Sequence, residues 1–187
     1  MELLKKNIET KKEKRKKSKL IDISIIVDTR EQTPWKFDNK LPSKLSINTI
    51  YIDTLEAGDY TIVGYDLPAD DFSIIVERKN SLIEFIGNVG NKKGWTRFQK
   101  ELEKLSLYKN GFVVIEDDLN NAYSRYKCRR GRDKYFNVPP EFLLKKFAEI
   151  KIKFGVDVCL MSNPSISEKF VLNLFKNTLL ADFALDD

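Results

Sequence analysis

Apolar positions along this chain keep two rhythms. Up to residue 79 they come in short runs punctuated by Gly, Pro and Asp, and from residue 80 they recur mostly at helical spacing. "LIDISIIVD" (20–28) predicts a strand ending at Asp28, and "INTIYI" (47–52) predicts a second. Between them "TREQTPWKFDNKLPSK" (29–44), with Pro34 and Pro42, reads as a loop. "EAGDYTIVGYD" (56–66) places a Gly turn before a short strand, Asp59 to Val63. "DFSIIVERK" (71–79) is the next strand, hairpin-paired with it. Leu82, Ile83, Phe85, Ile86 and Val89 then fall at helical spacing within 80–90. Trp95, Phe98, Leu102 and Leu105 form the apolar stripe of a core-facing helix within 95–108. "GFVVIED" (111–117) predicts a buried strand, 124–136 a basic loop or frayed helix, and 156–162 a last strand. Two prolines open a helix over 139–154, where the first turn tolerates them. Ser165 and Glu168 stand in capping-box spacing at the start of a closing helix, 165–180. Strands first, then helix and strand in alternation, predict an α/β fold with a mixed central β-sheet flanked by helices.

Composition narrows the chemistry. The chain has 187 residues, 42% hydrophobic and 33% charged, enough for one full domain with its own core. No apolar run approaches the length of a membrane-spanning helix. The Lys-rich start lacks the apolar segment of a secretory signal. The two cysteines, Cys128 and Cys159, stand far apart, so neither a CxxC-type zinc site nor a disulfide framework is expected, and an intracellular, reducing compartment fits. There is no histidine. This excludes Ser-His-Asp and Cys-His mechanisms and every metal site built on imidazole. Hydrolytic chemistry would have to run on carboxylates, lysine, tyrosine and a hard cation.

Charge is distributed unevenly. Of the formal +5, residues 1–20 carry +6, leaving the remaining chain at −1. Residues 1–19 are expected to be a disordered basic tail, either a sequence-independent phosphate contact or a solvated appendage, and 20–187 a single folded domain. A second basic run holds Arg125, Lys127, Arg129, Arg130, Arg132 and Lys134, with Tyr126 and Tyr135 interleaved. Phosphate contact with some stacking is the expectation there, against a solvated loop.

The chemistry centres on "IIVERK" (74–79), where a buried run ends in three charges. Side chains two apart on a strand share a face, so Glu77 and Lys79 point one way and Arg78 the other. If the preceding strand pairs as a hairpin, Asp59 faces Glu77. Two carboxylates beside a lysine at one sheet edge would bind Mg²⁺ or Mn²⁺. The cation would activate water, and the lysine would orient the nucleophile or stabilise the pentacovalent phosphate. Alone, this pattern also fits a strand that simply emerges into water.

"VDTRE" (27–31), "GDY" (58–60) and "VERK" (76–79), in that order, resemble the XPF-type structure-specific endonuclease domain, a branch of the PD-(D/E)XK nuclease superfamily. The likeness runs from about Ile23 to Glu116. It implies a restriction-endonuclease-like nuclease fold and a Mg²⁺-dependent endonuclease acting on branched, flapped or forked DNA in repair, recombination or replication. It also implies an intracellular setting: cytoplasm or nucleoid of a prokaryotic or phage-infected cell, or a eukaryotic nucleus. Asp59 and Glu77 would be metal ligands, with Asp28 and Glu31 adding carboxylates, and Lys79 the catalytic lysine. Arg78 would be the family's arginine, open to a structural ion pair or a phosphate contact. Arg97 would reach DNA or remain a surface charge. The family signature GDX(n)ERKX(3)D departs here: Glu84, one residue later, stands where the family has Asp, and would cap or support the site. The tandem helix-hairpin-helix module is not recognisable, which suggests a standalone nuclease domain. A homodimer or a partner protein stays open, and so does the alternative of a non-catalytic DNA-binding subunit in a heterodimeric nuclease.

Overall fold

The computed structural model describes residues 20–37, 41–68, 70–127 and 138–185. Residues 1–19, and the basic positions Arg129, Arg130 and Arg132, lie outside the described residues. Six strands form one sheet: β1 (Ile21–Asp28), β2 (Leu45–Asp53), β3 (Tyr60–Ile62), β4 (Ile74–Lys79), β5 (Asn110–Ile115) and β6 (Asp157–Leu160). Their order is β2-β1-β3-β4-β5-β6. Neighbouring strands run parallel except at β3, which is antiparallel to both β1 and β4. The sheet is thus mixed, as the sequence predicted. Most elements match the expected ones within a few residues at their ends, but a helix over Leu119–Lys127 begins before the basic loop or frayed helix expected at 124–136. β4 starts later than expected because residues 70–73 turn first, with Ser73 N–H donating to Asp70 O.

Among the described residues the sheet is accompanied by five helices: α1 (Leu82–Val89), α2 (Lys92–Leu105), α3 (Leu119–Lys127), α4 (Pro140–Phe154) and α5 (Pro164–Leu185). Strand alternation splits the core between the two faces of the sheet. Ile75 of β4 and Val113 and Ile115 of β5 pack with Phe85, Phe98, Leu102, Leu143 and Ile150 from α1, α2 and α4. On the other face Ile25, Tyr60, Ile74, Val76 and Val114 pack with Leu172 and Phe175 of α5 and with Trp35 and Phe37 of the long loop after β1. Burying one such side chain contributes about 1.5–3 kcal/mol, so both layers are firmly held to the sheet. β4 lies centrally and is covered on both faces, which explains its unbroken apolar start.

Local chemistry sets the helix ends. Asn91 caps α2 by accepting from Gly94 N–H at 2.8 Å. Pro139 and Pro140 open α4, and Gly155 closes it with φ +72°. The capping box expected from Ser165 and Glu168 is not what starts α5. Asn163 Oδ1 accepts from Ile166 N–H at 3.0 Å instead. Glu168 is buried and accepts from Phe37 N–H at 3.2 Å, tying the post-β1 loop to α5.

Candidate functional site

The face of the sheet covered by α1 and α2 carries the polar ends of three strands. Tyr60 pairs with Val76 in the antiparallel register, which sets Asp59 opposite Glu77. Asp59 N–H donates to Val76 O at 2.8 Å, and Asp59 Oδ2 accepts from Arg78 N–H at 2.7 Å. Gly58 makes this approach achievable. Its φ is +64°, and a Cβ there would sit 2.7 Å from Ile75 Cγ1 and 2.9 Å from Val76 O. Lys79 Nζ donates to Glu77 Oε1 at 2.5 Å and lies 5.5 Å from the centroid of the Phe98 ring. Asp59, Glu77 and Lys79 line an open cleft of about 680 Å³, together with residues of α1, α2 and the segment before β3.

Electrostatics single out the carboxylate pair. Burial, then the facing Glu77, push Asp59 up to about 8. Burial also raises Glu77, although Lys79 opposes that. Two part-buried carboxylates facing each other disfavour double ionisation, which a bound cation would relieve. Burial lowers the Lys79 pKa, but Glu77 more than offsets this, so Lys79 stays an ammonium above its ordinary range. Among the described residues no three Asp, Glu or Cys side chains cluster as a complete metal-binding set. Two carboxylates nevertheless fit a hard cation such as Mg²⁺, which takes one or two from protein and the rest of its shell from water and phosphate.

The other expected residues divide by position. Asp28 is 2% exposed, and its carboxylate is saturated. Oδ1 accepts from Arg30 N–H and Nε–H, both at 2.7 Å, and Oδ2 from Arg30 Nη2 and Leu55 N–H, both at 2.8 Å. Burial alone would raise its pKa, but these donors hold it below the usual range. Asp28 therefore braces the cleft wall rather than lining the cleft. Glu31 accepts from Thr33 N–H at 2.8 Å and lies 3.5 Å from Arg78 Nη1, also off the cleft lining.

Arg78 points to the opposite face, as strand phase requires, and the structure decides between its two readings. Its guanidinium is buried against Glu116, with Nε to Oε1 at 3.0 Å and Nη2 to Oε2 at 2.8 Å. It also donates to Thr33 O and stacks 5.0 Å from the Trp35 ring centroid. The Arg78 guanidinium, expected to be catalytic or held in a structural ion pair, is turned from the cleft and committed to Glu116. Trp35 Nε1 donates to the same Glu116 Oε1 at 2.6 Å, and the Trp35 ring stacks on Tyr60 at 4.4 Å.

Glu84 sits in the first turn of α1. Its Oε2 accepts from Asn80 N–H at 2.9 Å, while Ser81 Oγ accepts from Glu84 N–H at 3.3 Å. Its Oε1 lies 3.6 Å from Lys79 Nζ. Ser81 is thus the N-cap, while Glu84 holds the preceding Asn80 N–H and adds a carboxylate beside the lysine. Arg97 is exposed at the cleft rim, donating to Asn88 Oδ1 at 3.1 Å. Arg125 and Lys127 fall on the last turn of α3, where only the backbone is described. Sequence reasoning did not anticipate Arg30, Glu56, Glu101 and Lys104 in the cleft lining, nor the Trp35–Glu116 clamp. Glu116 carried a signal: like Glu77, it ends a buried apolar strand. Trp35, in a proline-containing loop, carried none.

A mixed sheet with helices on both faces, bearing two carboxylates and a lysine where its central strands end, defines a nuclease-type α/β protein. A family model described as the ERCC4 domain matches residues 27–174, and the chain belongs to that family, which is a family of nucleases. Among solved structures, XPF from Aeropyrum pernix is similar over 86% of this chain and 68% of its own, with a TM-score of 0.55 and 22% identity. XPF from Aeropyrum pernix in complex with DNA is similar over 85% and 66%, with a TM-score of 0.51 and 21% identity. These likenesses show a shared fold, the one expected from "VDTRE", "GDY" and "VERK". None of the curated proteins matches the chain.

Proposed function

We propose that this chain is a divalent-metal-dependent DNA endonuclease that hydrolyses phosphodiester bonds in branched, flapped or forked DNA. The observation that carries the reading is the register placing Asp59 opposite Glu77, with the Lys79 ammonium on Glu77, in an open cleft. Membership in a nuclease family supports hydrolysis of nucleic acid. The complex of the Aeropyrum pernix relative with DNA supports DNA as the substrate class. The family resemblance supports a branched substrate.

Asp59 and Glu77 would hold Mg²⁺ or Mn²⁺, which when bound supplies Lewis-acid stabilisation of a phosphoryl oxygen and lowers the pKa of an attacking water. Lys79 keeps its proton at neutral pH, so it acts as a hydrogen-bond donor to a non-bridging phosphate oxygen and not as a base. Arg78, locked on Glu116, would anchor the end of β4 from the opposite face of the sheet. Arg30 and Arg97 line the same cleft and offer guanidinium donors to flanking phosphates. Glu84 holds the start of α1 and keeps Lys79 oriented.

The test is cleavage of labelled flap, fork, gapped and plain duplex DNA with Mg²⁺, Mn²⁺ or EDTA, using the full chain beside Asp59→Ala and Glu77→Ala. Metal-dependent cutting, strongest at a branch and lost in both variants, is expected. Retained DNA binding with no cutting of any substrate would instead favour the non-catalytic subunit.

A further inference from the structure

The exposed face of α2 is basic along its whole length. Lys92, Thr96, Lys100 and Lys104 recur every four residues, and Lys93 and Arg97 run beside them. At 100° per residue all six fall within an arc of about 140°, which also holds Glu103 and is bordered by Glu101. All six are exposed. Lys92, Lys93 and Lys100 have neither an ion pair nor a side-chain hydrogen bond among the described residues. Like charges at this spacing repel one another, so the stripe weakens the isolated helix unless an anion lies along it.

The stripe also leads somewhere. Lys92, Lys93, Thr96, Arg97 and Lys100 line a shallow groove of about 540 Å³. Arg97 lines both this groove and the cleft holding Asp59 and Glu77, and Lys104 lines the cleft. From Lys92 to Lys104 the helix rises about 18 Å, the axial rise of about five phosphates along one DNA strand. Without the five cations of the stripe, residues 21–187 sum to −6, so the remainder of that stretch offers a polyanion no net attraction.

We propose that the α2 stripe is a phosphate-tracking surface that seats the duplex arm of the substrate and feeds one strand past Arg97 into the cleft. The proposal rests on the nuclease reading and names the surface that reading left open. It takes a polyanion of regular phosphate spacing, read without base contacts.

The experiment uses the full chain in EDTA, which separates binding from cutting, and a labelled duplex carrying one unpaired arm. The triple variant Lys92→Gln, Lys93→Gln, Lys100→Gln is compared with a charge-matched control, Lys109→Gln, Lys151→Gln, Lys176→Gln. Lys109 precedes the start of β5, Lys151 pairs with Asp157 at the start of β6, and Lys176 donates to Ser43 O just before β2. All three therefore sit at the end of the sheet away from the cleft. Loss of three phosphate contacts flattens the slope of log affinity against log salt by about 2.7. From about 50 to 200 mM salt the wild type then loses about 40-fold more affinity than the stripe variant. The control should keep the wild-type slope. If the wild type cuts DNA but the stripe variant keeps its slope, or flattens no more than the control, the stripe has no such role. A wild type that neither binds nor cuts DNA overturns the nuclease reading itself, and this proposal with it.

Discussion

Replacing Asp59 by asparagine should stabilise the metal-free protein while destroying its activity. In the folded chain burial and the facing Glu77 push Asp59 up to about 8, against about 3.9 for an exposed aspartate. A carboxyl whose folded pKa is raised binds more protons folded than unfolded, so its stability contribution is intact below about pH 4 and erodes as pH rises towards 8. At pH 7 the accumulated cost is on the order of 4 kcal/mol, an upper limit because water enters the open cleft. The substituted amide would keep an oxygen for Arg78 N–H and remove the titrating charge. In a chain of this length about 4 kcal/mol corresponds to roughly 8–16 °C in Tm. Thermal melts in EDTA from pH 5 to 8 should show the wild type losing stability with rising pH and Asp59→Asn losing much less. Adding Mn²⁺ or Mg²⁺ at pH 7 should raise the Tm of the wild type and leave the variant unmoved. If the variant melts at or below the wild type at pH 8, or the wild type is flat across the range, the facing carboxylate pair is not a cation site and the argument fails.

Lys79→Gln removes the ammonium beside Glu77 and should lower kcat by about 10²–10³-fold with DNA binding retained, as seen by single-turnover cleavage beside a binding titration. Glu116→Ala strands the buried Arg78 guanidinium and the Trp35 indole. It should cost about 3–5 kcal/mol by chemical denaturation, whereas Glu116→Ala combined with Arg78→Met should recover part of that loss. Gly58→Ala puts a methyl against Ile75 and Val76 O at a positive φ, so a loss of about 2–4 kcal/mol and of cleavage is expected, and an unchanged melt would contradict the close approach.

The sequence alone determined the local half of this site. Period-two alternation put Glu77 and Lys79 on one face of β4 and Arg78 on the other, because that periodicity belongs to any strand. Hairpin order brought Asp59 opposite Glu77, and Gly58 marked where backbones meet. Spacing also gave most helices and strands to within a few residues. It misplaced the cap of α5, because Asn163, not Ser165, accepts from a first-turn N–H, that of Ile166.

Only the tertiary structure decided which charges stay available. Asp28 looked equivalent to Asp59, yet Arg30 and Leu55 saturate it, and Leu55 arrives from the far end of the β2 segment. Arg78 was open to a phosphate or an ion pair until β5 delivered Glu116 beside it. The basic face of α2 read as ordinary helix polarity until packing set Arg97 between two grooves. Periodicity is a property of neighbours in the chain. A charge's partner is chosen by neighbours in space, and those are fixed when the sheet order β2-β1-β3-β4-β5-β6 closes over its two cores.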